Sequence, residues 1–129
     1  MKQITWVMTE VVLAVHDEQL AVHGGLSGVR HRGVLESALA RPKNLAVYEN
    51  CDDLARLAAA YAFGIVRNHG FVDGNKRTAL VTTDLFLMLN GFELVSSPAE
   101  NVLTILALAD GTLSEEGLAG WIQRNIEPL

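Results

Sequence analysis

An all-α bundle of about six helices is the fold that this sequence predicts, and three observations support it. Apolar residues recur at helical spacing along nearly the whole chain. Several of these runs begin at a Ser, Thr or Asp that can cap a helix, and several end at glycine or ahead of proline. Strand signals are missing apart from one short stretch, 92–95, that could be extended, and the sequence has no internal repeat.

The first two helices follow from these signals near the amino terminus. The first is predicted to begin at Thr9, whose side chain can cap it, and to close at Gly24 and Gly25. The second is short, carries apolar residues at 34, 35, 38 and 39, and is predicted to stop before Pro42. Proline disfavours helical backbone at the residue that precedes it.

The third and fourth helices are the most apolar. The third can be capped by Asp52 or Asp53 and should end near Asn68, and its alanines allow close packing. After a loop over 69–74, residues 78–90 are apolar on nearly every side, with Gly91 as terminator. A helix of that kind is expected in the centre of a bundle.

The last two helices have clear starts. Ser97 can cap the fifth, with Pro98 at the first helical position and Glu100 at the third. Ser114 can open the sixth, whose apolar face includes Leu118 and Ile122. Together the six segments predict an all-α fold.

The length of 129 residues, without a Pro/Gly/Ser-rich linker, predicts that residues 1–129 form a single domain. Half of the residues are hydrophobic and 19% are charged, which excludes a disordered chain. The longest apolar stretch is interrupted by Asp84 and is too short to cross a bilayer. With no secretory leader pattern and a lone Cys51, we expect a cytoplasmic protein with no membrane role.

The charge balance is acidic. The chain has 10 Lys and Arg against 15 Asp and Glu, a net charge of −5, so direct nucleic-acid binding is not expected. Arg67, Lys76 and Arg77 nevertheless lie close together in the sequence. This local basic spot suits a small anion better than a duplex.

The loop after the third helix holds two candidate catalytic groups. His69 is a candidate general base, because imidazole titrates near neutral pH and can take a proton from an attacking hydroxyl. Asp73 offers hard oxygen ligands that suit a Mg²⁺ ion also bound to phosphate oxygens. Both residues are candidates for a phosphate-transfer site.

The entry to the fourth helix holds the candidate phosphate-binding groups. Gly74 and Asn75 can direct backbone N–H groups at an anion on the positive end of the helix dipole. Lys76 and Arg77 add full charges, and Arg77 can bind a phosphate through two parallel hydrogen bonds. Arg67 could also hold the phosphate or a protein target, although a solvated arginine at a helix end explains it equally well.

Taken singly, each of these groups could be a helix cap, a turn or part of a solvated face. Their order favours function. Two cations in the first turn of a buried helix would face the positive end of its dipole, which is unfavourable unless an anion binds there. The segment therefore predicts a site for phosphate transfer.

The run His-Gly-Phe-Val-Asp-Gly-Asn-Lys-Arg-Thr over 69–78 resembles the signature of the Doc (death-on-curing) toxins, a branch of the Fic superfamily. The resemblance extends to His16-Asp17, to Gly24-Gly25-Leu26 and to the segment 33–39. It implies an all-helical fold, with His69 as base, Asp73 on Mg²⁺ and Phe71 anchoring the loop in the core. The residues that it implies hold the nucleotide phosphates are Gly74, Asn75, Lys76 and Arg77.

Two positions depart from the broader Fic pattern. Gly70 replaces a proline, which should loosen the loop, and Lys76 replaces a glycine at which backbone approaches a phosphate closely. In Doc relatives the Lys76 substitution goes with a nucleotide bound in reverse. The resemblance thus implies transfer of the γ-phosphoryl of ATP to a Ser or Thr.

The same resemblance implies a toxin of a type II toxin-antitoxin system that arrests translation. It implies translation elongation factor Tu as the protein substrate and a Phd-like antitoxin as partner, whose flexible segment folds over the site. Two alternatives stay open. One is a Fic-type adenylyltransferase, which shares the site residues apart from Lys76, and the other is an inactive homologue that serves as an antitoxin-binding corepressor module.

Overall fold

The computed structural model describes residues 3–129, which form six helices and one two-stranded antiparallel sheet. The helices are α1 (Thr9–His23), α2 (Arg32–Tyr48), α3 (Leu54–Asn68), α4 (Asn75–Leu89), α5 (Pro98–Asp110) and α6 (Glu115–Arg124). The strands are β1 (Phe92–Leu94) and β2 (Ile126–Pro128). The predicted all-α fold is confirmed, and residues 1 and 2 of the predicted domain lie outside the described residues.

Helix α3, and not the predicted α4, is the central element. It packs against α2, α4, α5 and α6, and its run Ala58–Ala60 is fully buried. The small alanine side chains let several helices approach α3 closely. Helix α4 packs against α3 and α1 but leaves Met88 and Leu89 exposed at its carboxyl end.

Helix α1 starts at Thr9, but the prediction that Thr9 caps it is wrong. The cap is Met8, whose carbonyl accepts hydrogen bonds from the backbone N–H groups of Val11 and Val12. Val7, just ahead, is buried and donates its N–H to the Tyr61 hydroxyl, which fixes where the chain enters the helix. Closure of α1 at Gly24 is confirmed.

Helix α2 does not stop before Pro42, as predicted, but continues through it to Tyr48. Proline leaves the carbonyl four residues earlier, that of Ala38, without a helical donor. This carbonyl faces Gly64 of α3 so closely that a Cβ at Gly64 would lie 2.9 Å from it. Pro42 is itself buried, and the helix passes through it in the region where α2 packs closely on α3.

Helix α3 is capped by Asp53, whose side chain accepts from the Ala55 N–H, and it ends at Asn68 as predicted. Helix α4 begins at Asn75, which confirms the prediction that the 69–74 loop turns into the fourth helix at Gly74 and Asn75. Gly74 adopts a left-handed conformation with φ +76° and forms the cap, and the Thr78 N–H donates to its carbonyl. Residues 75–77 therefore lie in the first turn of α4.

The remaining elements close the bundle. Ser97 and Ser114 cap α5 and α6 through their side chains, as predicted. The extended stretch after α4 is strand β1, and it pairs with β2, which the sequence did not predict. No helix within residues 3–129 has both the length and the apolar character needed to span a membrane.

Candidate active site

A cleft of about 430 Å³ opens where the 69–74 loop meets the first turn of α4. It is lined by His69, Val72, Asp73, Gly74, Asn75, Lys76, Arg77 and Ala109. Six of the seven predicted site residues thus line one cleft. The carboxyl-terminal part of α5 supplies Ala109, which the sequence did not indicate.

The loop that carries these residues is tied to the segment between α1 and α2. The Val72 N–H donates to the Gly28 carbonyl, and the Gly70 carbonyl accepts from the N–H groups of Arg30 and His31. A Cβ at Gly70 would lie 2.9 Å from the Leu35 Cβ. The expectation that Gly70 loosens the loop is therefore wrong, because glycine here allows close packing on α2.

His69 terminates α3 in a left-handed conformation, with φ +46° and ψ +50°. Non-glycine residues seldom adopt this backbone, although histidine tolerates it better than most. The turn ends α3 and leaves the exposed imidazole at the edge of the cleft. A histidine so placed can reach a group bound in the cleft.

The Asp73 carboxylate is exposed but oriented by two backbone donors. The Leu26 N–H donates to Oδ2 over 3.2 Å, and the Gly74 N–H donates to Oδ1 over 2.8 Å. These hydrogen bonds hold the pKa of Asp73 below its ordinary value, and the bond from Leu26 has the larger effect. Asp73 is consequently ionised at neutral pH.

The donor set at Asp73 fits magnesium. Among residues 3–129 no group of three or more His, Cys, Asp or Glu side chains comes together as a metal site. Mg²⁺ does not need such a group, because it commonly takes one or two carboxylates together with water and phosphate oxygens. The Asp73 oxygens keep lone pairs beyond the two N–H contacts.

The three side chains in the first turn of α4 differ in burial and in hydrogen bonding. The Asn75 side chain is buried and hydrogen-bonded to the backbone of Phe71, whereas Lys76 is exposed in the cleft. Arg77 is half-buried and its Nη2 donates to the Gly24 carbonyl over 3.0 Å. The Gly74 N–H, which was predicted to face an anion, donates to the Asp73 carboxylate instead.

Arg67 does not join the other predicted site residues. Its guanidinium carbon lies 5.8 Å from the ring centroid of Phe63, and it lines a separate groove with Arg41 and Glu115. A phosphate-binding role for Arg67 stays a prediction that this placement does not support.

Sequence reasoning assigned no role to three residues that approach the site from α1 and the segment after it. They are His16, Gly24 and Leu26, which contact the backbone of Asp73, Arg77 and the Asp73 carboxylate. The sequence did contain a sign that these residues matter, because His16 and the Gly24-Gly25-Leu26 segment are part of the family resemblance. The resemblance did not say what they contact.

A helical bundle that carries this loop ahead of α4 is the arrangement expected for the Fic class of proteins. The sequence model of the Fic/DOC family matches residues 6–87. The chain belongs to the Fic/DOC family. It is 36% identical over 115 residues to "Protein kinase doc" of Escherichia phage P1, covering 89% of this chain and 90% of that protein. It is 39% identical over 94 residues to "Toxin Doc" of Mycolicibacterium smegmatis, covering 67% of this chain and 71% of that protein. The predicted membership of the Doc branch is confirmed.

Proposed function

We propose that this chain is a Doc-type toxin that acts as a protein serine/threonine kinase with ATP as donor. The main supporting observation is the cleft itself, in which His69, Asp73, Lys76 and Arg77 converge. Lys76 is exposed there, at the position where the Fic pattern has glycine. The name of the phage P1 relative agrees with kinase activity.

In this proposal His69 accepts the proton of a Ser or Thr hydroxyl as its oxygen bonds to the γ-phosphorus. The bond from that phosphorus to the β-γ bridging oxygen breaks, and ADP leaves. Lys76 and Arg77 stabilise the negative charge on the phosphates. Mg²⁺, when held by Asp73, would neutralise further phosphate charge.

The proposed protein substrate is translation elongation factor Tu, whose modification would arrest translation in the cytoplasm. A Phd-like antitoxin is the proposed partner, because a host that makes an active modifier of an essential protein needs a neutraliser. We treat residues 1–129 as one toxin domain. Co-purification with the product of an adjacent reading frame tests the partner, and a neighbour that neither binds nor neutralises the toxin would contradict it.

The decisive experiment incubates elongation factor Tu with the purified chain and ATP labelled at either the α or the γ phosphate. We expect γ label on the target. His69→Ala should lower its rate of appearance by about 10²–10⁴-fold and abolish growth arrest on expression. His23→Ala is the matched control, because His23 is also an exposed histidine at the end of a helix but does not line the cleft.

Each other outcome has a defined meaning. Label from the α phosphate on the target would replace the kinase proposal with AMP transfer. A folded chain that labels no target but binds an antitoxin would indicate a corepressor module. Full activity of a folded His69→Ala protein would overturn the assignment of His69 as base.

A further inference from the structure

His16 is a buried titratable residue to which the proposed reaction assigns no task. It lies on α1 and is 2% exposed. Its ring stacks on Phe71, with centroids 3.8 Å apart and planes 11° apart. Its Nε2 lies 2.7 Å from the carbonyl oxygen of Asp73. Because a carbonyl oxygen can only accept, Nε2 is the donor in this bond.

This hydrogen bond constrains more than one carbonyl. The Asp73 carbonyl and the Gly74 N–H belong to the same planar peptide unit. The Gly74 N–H in turn donates to Oδ1 of Asp73 over 2.8 Å. His16 therefore holds one end of a peptide plane whose other end orients the Asp73 carboxylate.

The plane needs an external constraint because of the residue that follows it. Gly74 lies in the left-handed region, with φ +76°, and glycine adopts positive and negative φ with similar ease. Rotation of the plane would remove the Gly74 N–H from Asp73 and change how the chain enters α4. The donor on His16 opposes that rotation from a different helix.

We infer that His16 is a positioning residue, which fixes the Asp73–Gly74 peptide so that the carboxylate and the first turn of α4 face the cleft. The inference rests on the proposed phosphate-transfer function and adds to it the residue that sets the geometry of its loop. His16 acts through Asp73 and Gly74 and need not touch nucleotide or target.

Two substitutions separate the hydrogen bond from the packing. His16→Phe keeps an aromatic ring for the stack on Phe71 but has no donor. His16→Gln has no ring but carries an amide nitrogen that can donate to the Asp73 carbonyl. Tyr61→Phe is the matched control, because it removes the buried hydrogen bond from the Val7 N–H and leaves the loop untouched.

The measurements are the ¹⁵N–¹H resonances of Gly74 and Leu26 in the full chain without nucleotide, the unfolding free energy, and kcat and KM on elongation factor Tu. His16→Phe should shift both resonances and lower kcat about 10- to 100-fold at unchanged KM for the target, as expected for a displaced reacting geometry. His16→Gln should recover part of kcat. Tyr61→Phe should lose stability yet keep the resonances and kcat.

Wild-type resonances and kcat in folded His16→Phe would overturn the inference. The inference would also be overturned if His16→Phe and His16→Gln lost kcat equally and in proportion to their losses of unfolding free energy. Packing alone would then explain both variants. If the wild type phosphorylates no target, the proposed function fails, while the Gly74 and Leu26 resonances still decide the role of His16.

Discussion

The side chain of Asn75 forms two hydrogen bonds with the backbone of Phe71. The Phe71 N–H donates to Oδ1, and Nδ2 donates to the Phe71 carbonyl, each over 3.1 Å. The amide thereby satisfies both polar groups of a buried residue in the middle of the loop. Phe71 anchors the loop in the core as predicted, and Asn75 holds its backbone from the first turn of α4.

Replacing Asn75 with Asp should destabilise the loop while changing its size very little. The carboxylate still accepts from the Phe71 N–H but repels the Phe71 carbonyl, and we expect a loss of about 1–3 kcal/mol in unfolding free energy. Activity should fall as well, because the loop carries His69 and Asp73. Chemical denaturation and the labelling assay measure the two effects.

Asn125→Asp is the matched control for this variant. Asn125 also donates its amide to a carbonyl, that of Trp121, but at the end of α6 and away from the cleft. It should lose stability and keep activity. An Asn75→Asp protein with wild-type activity would show that the loop does not depend on this contact.

The acidic residue Glu115 joins three helices. It is 8% exposed and forms ion pairs with Arg41 of α2 and Arg56 of α3. Removing the carboxylate leaves two partly buried cations without a partner, so Glu115→Ala should cost about 2–3 kcal/mol of unfolding free energy. The exposed pair of Arg32 and Glu36 is the control, and Glu36→Ala should cost less than about 0.5 kcal/mol. Equal losses in urea denaturation would contradict the argument.

The local signals explain which parts of the fold were predictable. Asp53, Ser97 and Ser114 cap helices through contacts two or three residues away, so short sequence windows contain the information. Helix α2, in contrast, continues through Pro42 where it packs closely on Gly64 of α3, a residue that no short sequence window around Pro42 includes. Strand β2 was missed for the same reason, because three residues give no pattern and their partner lies more than thirty positions earlier.

The candidate site also has parts that local sequence predicts and parts that depend on distant residues. The cleft-lining residues from His69 to Arg77 were predictable because they are adjacent in one loop and one helical turn. The contacts of His16, Gly24 and Leu26 depend on how α1 packs across α4, which the sequence does not specify locally. Arg67 was misplaced for the converse reason, since closeness in sequence to His69 did not bring it into the cleft.

Asp84 gives the chain a pH dependence of predictable sign. Burial raises the pKa of this carboxyl, and a backbone hydrogen bond from Leu94 opposes part of the shift. A raised pKa means that the folded state binds the proton more tightly than the unfolded state. The contribution of Asp84 to stability is therefore greatest below its unfolded pKa and decreases as pH rises through the raised folded value.

We accordingly expect Asp84→Asn to stabilise the protein at pH 7 and to lose this advantage at acidic pH. Asp110 is the control of opposite sign, because the Thr112 hydroxyl and N–H lower the pKa of its carboxyl. Asp110→Asn should destabilise the protein at pH 7, with the difference shrinking as pH falls. Thermal unfolding across pH measures both variants, and a stabilisation by Asp84→Asn that does not change with pH would contradict the assignment.

In the proposed function, Lys76 is the residue that decides between phosphoryl and AMP transfer. It lies exposed in the first turn of α4 and lines the cleft. Lys76→Ala and Lys76→Gly both remove the charge, so both should lower phosphorylation by about tenfold or more, since a hydrogen bond to a charged group contributes about 1.5–3 kcal/mol. Gly alone also removes Cβ and opens the backbone to a phosphate.

The two variants therefore separate charge from steric access. If the side chain blocks the orientation used for AMP transfer, α-phosphate label should appear on the target with Lys76→Gly and not with Lys76→Ala. Lys76→Arg, which keeps the charge and the bulk, should retain transfer of the γ-phosphoryl. Mass spectrometry of the modified target distinguishes an added phosphate from an added AMP. AMP on the target with the wild-type chain would refute the steric argument, because Lys76 would then permit the transfer that it is proposed to prevent.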